Sequence, residues 1–308
     1  MRDWDCIVVG GGAAGLSAAL VLGRARRQTL VVDAGHPSNI VVEGVGGLLG
    51  HDGRSPADLY AAGRAELTRY PTVEVREGVV IGGRRDGAMF VLQLDDGGYE
   101  TARRVLIATG MDYRYPDVPG IAERWGRSVF HCPFCHGWEV RDQPLGVLDQ
   151  GAHGVLRSLL LRLWSDDVTL FSNGPAGIDA ADMERLRAAG VGVDEREISS
   201  VVGPADTLTA VAFGDGSERA CRGLLVATTL HQRSNLAEQL GAGLAEPGPS
   251  VIDAIAVDPG QHTSVPGLSA AGDAASQMPS VAVAIAAGST AAARLVHSLI
   301  AEDHNLSE

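Results

Sequence analysis

The residues "DCIVVGGGAAGLSAALVLGRARRQTLVVDAG" near the amino terminus constrain the fold of this chain more than any other stretch. An apolar strand over Cys6 to Val9 runs into a glycine-rich turn, an Ala/Leu helix follows, and a second apolar strand from Thr29 to Val32 ends at Asp33. Two strands joined through a helix make a parallel βαβ unit, which belongs in an α/β sheet covered on both faces. Gly10, Gly12 and Gly15 form G-x-G-x-x-G. The first glycine permits the tight turn, the second lets backbone approach a pyrophosphate, and the third lets helix lie close on strand. Ala13 and Ala14 fall in the first helical turn, where free N–H groups and the helix dipole favour an anion. A glycine motif alone is weak support. Here a strand precedes it, a helix follows, and Asp33, with Ala34 beside it, stands at the end of the next strand to accept hydrogen bonds from a ribose, so the stretch reads as a dinucleotide site.

The unit occurs twice. Shifted by 139 residues, "CIVVGGGAAGLSAALVLGRARRQTLVVDAG" aligns without a gap on "LGVLDQGAHGVLRSLLLRLWSDDVTLFSNG", with Gly12 on Gly151 and Gly15 on Gly154. "VLIATG" has a looser echo in "LLVATT" at Leu224 to Thr229. The expected architecture is α/β with two Rossmann-like domains, the second inserted into the first. Residues 1–112 and 241–308 form one domain and 113–240 the other.

At 308 residues and 45% apolar content, each domain has enough chain for its own core. The formal charge of −13 disfavours a phosphate-backbone partner, so no nucleic acid is expected. The most apolar tract, "SVAVAIAAGSTAAARLVHSLI", contains Gly288 and Arg294 and reads as a buried helix of a soluble protein, so no membrane is expected either. Few cysteines and the lack of a secretory leader pattern point to the cytoplasm, where C-x-x-C is redox-active or metal-binding.

That motif is "HCPFCHG", His131 to Gly137. A zinc site would draw on Cys132, Cys135 and the flanking His131 and His136, but structural zinc takes two separated ligand pairs and no second pair exists, so no metal is expected. Cys6 and Cys221 read as buried small hydrophobes. A redox dithiol has a local mechanism instead. Pro133 suits the first helical position, which puts Cys132 at the N-cap and Cys135 in the first turn, where the helix dipole stabilises a thiolate.

Two further segments complete a resemblance. "RRVLIATGM" carries Thr109 and Gly110, and "VPGLSAAGDAA" carries Gly272 and Asp273. With the amino-terminal glycines they resemble the two-dinucleotide-domain FAD oxidoreductases over nearly the whole chain, and Asp273 matches the aspartate that holds the ribityl chain in that family. The resemblance extends FAD binding to Asn39 and to Val281 and Ala282, at the start of a helix whose N-terminus would face the flavin pyrimidine; His51 in "LLGHDG" would line the flavin or substrate cleft. The C-x-x-C inside the second domain is similar to that of the low-molecular-weight thioredoxin reductases. By that match Cys135 is the cysteine facing the flavin, Cys132 the one meeting substrate, and the protein a homodimer.

The chain departs from the reductases at two places. They carry aspartate after the second cysteine where this chain has His136, and their inserted domain binds NAD(P)H through features lost here. Asp149 stands where Gly10 stands in the first copy, and two like charges ~4 Å apart at an effective dielectric of ~20 repel by about 4 kcal/mol. Ser172 replaces Asp33, and "FSNGPAG" offers no arginine for a 2′-phosphate. "CPFCHG" resembles the FAD-dependent dithiol oxidases that close disulfides in gliotoxin- and holomycin-type natural products, with His136 as general base. That resemblance implies a small-molecule dithiol as electron donor and O2 as acceptor, giving hydrogen peroxide. An NAD(P)H-dependent thioredoxin reductase, a ferredoxin-driven reductase and a flavin-bound redox sensor without turnover are the alternatives.

Overall fold

The computed structural model describes residues 3–306. The chain forms two compact units, one from residues up to Ile40, Pro56–Tyr113 and Thr229 onward, the other from Val41–Ser55 and Arg114–Thr228. This division differs from the sequence-based one in two places. The inserted unit ends at Thr228 rather than residue 240, because Thr229–Gln232 pairs with Met111–Arg114 and Leu230 joins Met111, Val251 and Ala254 in a small core of the first unit. It also takes in Val41–Ser55, whose Val41 packs over Gly126 and whose Glu43 pairs with Arg127 at 2.6 Å.

In the first unit Asp3–Val9 lies between Thr29–Asp33 and Tyr99–Ile107, all parallel, with Val73–Glu77 beyond Thr29–Asp33. The long strand Tyr99–Ile107 divides its free edge. Its first half pairs antiparallel with Met89–Leu94, and its last residues pair in parallel with Leu268–Ala270. Ile7, Val8, Leu30, Val31 and Leu106 are fully buried in succession, as strands covered on both faces require. One face packs Trp4, Phe90, Leu92 and Leu236; the other packs Leu16, Ala18, Leu22 and Leu295. The helix Val281–Asp303 is long and apolar enough to cross a membrane, yet its Ala284, Gly288, Ala291, Ala292, Leu295 and Leu299 are buried. It runs so close to the helix Ala13–Arg24 that a Cβ at Gly288 would overlap the Ala14 carbonyl.

The second unit repeats this frame in register. Leu145 pairs with Val168 as Cys6 pairs with Thr29, and Gly146 with Leu224 as Ile7 with Val105. The weak echo "LLVATT" is therefore a structural equivalence. The parallel order is Val191–Asp194, Val168–Phe171, Leu145–Leu148, Gly223–Val226, Val129–Phe130. A three-stranded antiparallel sheet, Ile198–Val202, Ala210–Phe213 and Glu218–Ala220, accompanies it.

Candidate active site

In the first unit the carboxyl ends of the strands bring the expected nucleotide residues together. Gly10 has φ +111° and a Cβ there would overlap the Ala108 carbonyl, while one at Gly15 would overlap Gly10 itself. A Cβ at Gly12, the N-cap of the helix Ala13–Arg24, would meet nothing within 4 Å. The first two glycine requirements thus have different origins, close packing at Gly10 and an open approach at Gly12. Asp33 is tied down by its neighbours: one oxygen accepts from the N–H groups of Gly11 (3.2 Å) and Gly35 (3.0 Å), and the other meets Arg64 at 3.2 Å. Ala34 is exposed beside it.

Gly272 begins the turn Gly272–Ala275 at φ +76°, and a Cβ there would reach 2.8 Å from Ala14 Cβ. This seats Asp273 against the nucleotide helix. Its carboxyl is raised from the ordinary carboxylate range by burial, against a hydrogen bond from the Tyr113 hydroxyl (2.9 Å) and the charge of Arg233. Thr109 Oγ1 is buried with no partner among the described residues. Asn39 is fixed by the Tyr60 hydroxyl at 2.9 Å, and Ser280 caps the Val281 helix. An unpartnered hydroxyl, two placed carboxyls and a glycine opening onto free space fit a dinucleotide with a polyol chain. Gly10, Gly12, Ala13, Ala14, Gly15, Asp33, Ala34, Asn39, Thr109, Gly110, Gly272, Asp273, Val281 and Ala282 all belong to this unit. His51 does not: it lies in the segment Val41–Ser55, exposed, with Nδ1 3.3 Å from Arg54.

The corresponding turn of the second unit is hydrogen-bonded to its own chain. The Gly151 N–H, at the start of the helix Gly151–Leu161, donates to the Ala176 carbonyl at 2.9 Å, and the Gln150 side chain spans to the Ser172 carbonyl at 2.8 Å. Ser172 is buried, its hydroxyl bonded to the carbonyl of Gly174. The like-charge repulsion expected at Asp149 is relieved by a partner. Asp149, which precedes the helix, is bridged by Arg157 within it at 2.7 Å, so its charge is largely met. The Gly151 amide, of the kind a bound phosphate would use, is instead bonded to the Ala176 carbonyl.

The dithiol turn has the expected cap. Cys132 is the N-cap of the short helix Pro133–His136, Pro133 takes the first helical position, and Cys132 and Cys135 are disulfide-bonded with Cα atoms 5.3 Å apart. The residues around it are aromatic. His131 stacks on Trp125, His136 stacks on Phe130, and Phe134 meets Trp164 edge-on. Phe134 and Trp138, which flank Cys135 in sequence, are 70% and 65% exposed. Both His136 ring nitrogens are shut off from solvent. Burial lowers the His136 pKa below its ordinary value, against the backbone at Gly126 and Cys132 and the Glu139 carboxylate. His131 is pushed down to about 4 by burial, then by the charges of His136 and Arg157. Both imidazoles are therefore neutral at pH 7. Cys6 and Cys221 are buried thiols pushed up to about 12 by that burial and do not compete as nucleophiles.

Gly46 is a residue that pattern reading missed. A Cβ there would stand 2.9 Å from the Cys135 carbonyl oxygen, so the glycine-rich segment Val41–Ser55 seats directly on the redox turn. Only the density of glycines in "EGVGGLLGHDG" hints at a close backbone approach. Gly46→Val should force the turn to shift, costing ~1–3 kcal/mol. A thermal midpoint and dithiol turnover both unchanged in that variant would count against this contact. Tyr113 was also missed, because nothing in "MDYRY" announces that its hydroxyl reaches a carboxyl far along the chain.

A family model described as pyridine nucleotide-disulphide oxidoreductase matches residues 4–288. The chain is 33% identical to a thioredoxin reductase, tcpT, of Claviceps purpurea, over 97% of this chain and 95% of that protein. Among solved structures it is similar to an oxidoreductase from Agrobacterium tumefaciens, 37% identical with TM-score 0.91, covering 97% of this chain and 99% of the other. It is also similar to HlmI, 39% identical with TM-score 0.91, covering 98% and 94%.

Proposed function

The chain belongs to the pyridine nucleotide-disulphide oxidoreductase family, and on that premise we propose that it is a cytoplasmic, homodimeric FAD-dependent dithiol oxidase. It forms a disulfide in a small-molecule dithiol through Cys132 and Cys135, with O2 reduced to hydrogen peroxide. The observation that carries this reading is the self-bonded second turn, in which the Ala176 carbonyl occupies the Gly151 amide and Ser172 replaces a ribose carboxylate. On this reading the chain takes its electrons from a dithiol rather than from NAD(P)H.

Gly12, the amides that follow it, Asp33 and Asp273 would hold FAD, which when bound accepts an electron pair from the dithiol and passes it to oxygen. The chain's own residues handle sulfur and protons. A substrate thiolate attacks Cys132 Sγ, and Cys135 leaves as thiolate toward the helix N-terminus. The second substrate thiol, once ionised, attacks the substrate sulfur joined to Cys132, closing the product disulfide and releasing Cys132. His136, neutral and adjacent, accepts a proton from substrate. The exposed rings of Phe134 and Trp138 favour an apolar substrate over a charged one. Under air, a reduced small dithiol should yield one hydrogen peroxide per disulfide formed, and Cys132→Ser and Cys135→Ser should each abolish it. Peroxide release that survives in both variants would remove the cysteines from the mechanism.

The rival reading, an NAD(P)H-dependent thioredoxin reductase, is favoured by the name its relative in Claviceps purpurea carries and by the preserved register of the second unit.

A further inference from the structure

Tyr113 takes no part in the steps above, yet it lies where the cofactor residues meet. Its strand, Met111–Arg114, follows directly on Thr109 and Gly110 and pairs with Thr229–Gln232. Met111 is fully buried with Leu230, Val251 and Ala254, and Tyr113, two residues on and so on the same face, packs against that core. The strand pair is then tied twice to the turn Gly272–Ala275. The Tyr113 hydroxyl donates to Asp273 Oδ2 at 2.9 Å, and the Gln232 side-chain amide donates to the carbonyl of the next residue, Ala274, at 2.7 Å. One bond fixes the backbone of the turn and the other fixes its carboxyl.

We propose that Tyr113 is a positioning residue for the cofactor, whose hydroxyl holds Oδ2 of Asp273 so that the carboxylate keeps its charge and Oδ1 is left to accept from the FAD ribityl chain. A carboxylate with neither oxygen fixed turns about its Cβ–Cγ bond, and one that is partly buried gives up its charge unless a donor meets it. Tyr113 answers both requirements. Burial, and then the Asp273 charge, push the Tyr113 phenol well above its ordinary value, so it stays a donor at any pH the protein meets. The inference rests on the assignment of Asp273 to FAD made above.

The groups facing the Asp273 carboxyl are Tyr113, Arg233 and Tyr60. Arg233 is anchored elsewhere, its Nε donating to the Met111 carbonyl at 3.0 Å and its Nη1 to the His36 carbonyl, and the Tyr60 hydroxyl donates to Asn39 at 2.9 Å. The two helices packed on the turn offer Ala14 and Ala284 there, neither of which titrates. Without Tyr113, burial acts on Asp273 with only the Arg233 charge against it, and the carboxyl takes up its proton at a higher pH than in the native chain. The protonated carboxyl loses the charge-assisted bond to a ribityl hydroxyl.

The test is the release of FAD from diluted holoprotein, followed by the fluorescence of the free flavin at pH 8 and pH 5.5, for the native chain, Tyr113→Phe, Asp273→Asn and the double variant. Tyr113→Phe should hold FAD about threefold more weakly than the native chain at pH 8 and about tenfold more weakly at pH 5.5. In the Asp273→Asn background, where the side chain cannot titrate, adding Tyr113→Phe should cost the same at both pH values. Equal affinities in the native chain and Tyr113→Phe would overturn the proposal. So would a deficit that is the same at both pH values, which would mark Tyr113 as a support for the turn and nothing more, or a widening that persists in the Asp273→Asn background, which would assign the titration to another group. Failure of the FAD assignment shows as Asp273→Asn holding FAD as tightly as the native chain, and overturns the proposal with it. Failure of the oxidase reading shows separately, as NADPH-driven bleaching of the flavin, and leaves this release profile unaffected.

Discussion

Gly12→Val should yield a colourless protein that is folded as well as the native chain. The native protein should carry about one FAD per chain, and the variant essentially none, because the valine side chain would occupy the space over the helix amides that a pyrophosphate needs. Folding should not suffer, since a Cβ at that position meets nothing within 4 Å. Gly288→Val supplies the contrast. There the added atoms would overlap the Ala14 carbonyl, and overpacking of this kind costs ~1–3 kcal/mol or more, so the apoprotein itself should melt several degrees lower. Flavin absorbance and the thermal midpoint of apoprotein separate the two effects. A yellow Gly12→Val protein would refute the placement of the pyrophosphate.

Anaerobic mixing with NADPH should leave the bound FAD oxidised, whereas a small dithiol should bleach it, with a rate difference of about a thousandfold or more. Two lost hydrogen bonds to a charged ligand, at Gly151 and at the ribose, amount to about 4 kcal/mol, or ~1000-fold in affinity. Asp149→Gly alone should not restore NADPH reduction, because the Ala176 carbonyl still covers the Gly151 amide. The dithiol arm should depend on His136. Its lowered pKa keeps it unprotonated to a more acid pH than an ordinary imidazole, so it can serve as base where substrate thiols are un-ionised. The cost of His136→Ala should grow as pH falls through the thiol range, reach ~100-fold, and shrink again once pH passes below the imidazole's own pKa. Millisecond bleaching by sub-millimolar NADPH, followed by reduction of thioredoxin, would replace the oxidase with the reductase.

The parts of this protein that could be read from sequence are those whose signal is local. Gly10, Gly12, Gly15 and Asp33 sit at fixed spacings around one turn, and the repeat at Gly151 and Gly154 keeps that spacing, so both βαβ units were legible. The N-cap geometry of Cys132 followed from Pro133 alone. What escaped depends on backbone atoms or distant partners. The Ala176 carbonyl that bonds the second turn belongs to an alanine with no side-chain signature. Arg157, which answers the charge of Asp149, lies beyond the usual helix neighbours of three and four residues. The burial of His136 comes from stacking on Phe130, which a four-residue helix cannot announce through periodicity.

The seating of Val41–Ser55 on the redox turn has a consequence for how the chain must assemble. The polypeptide passes from one compact unit to the other four times, at residues 40/41, 55/56, 113/114 and 228/229. A fragment cut at the boundaries of the inserted copy would lack Gly46 and leave the backbone of Cys135 uncovered. During synthesis the segment carrying Gly46 emerges well before the helix it covers, and the first unit waits for Leu268–Ala270 to complete its sheet. Such interleaving raises contact order and slows folding. The disulfide turn is therefore finished late, by a loop made early.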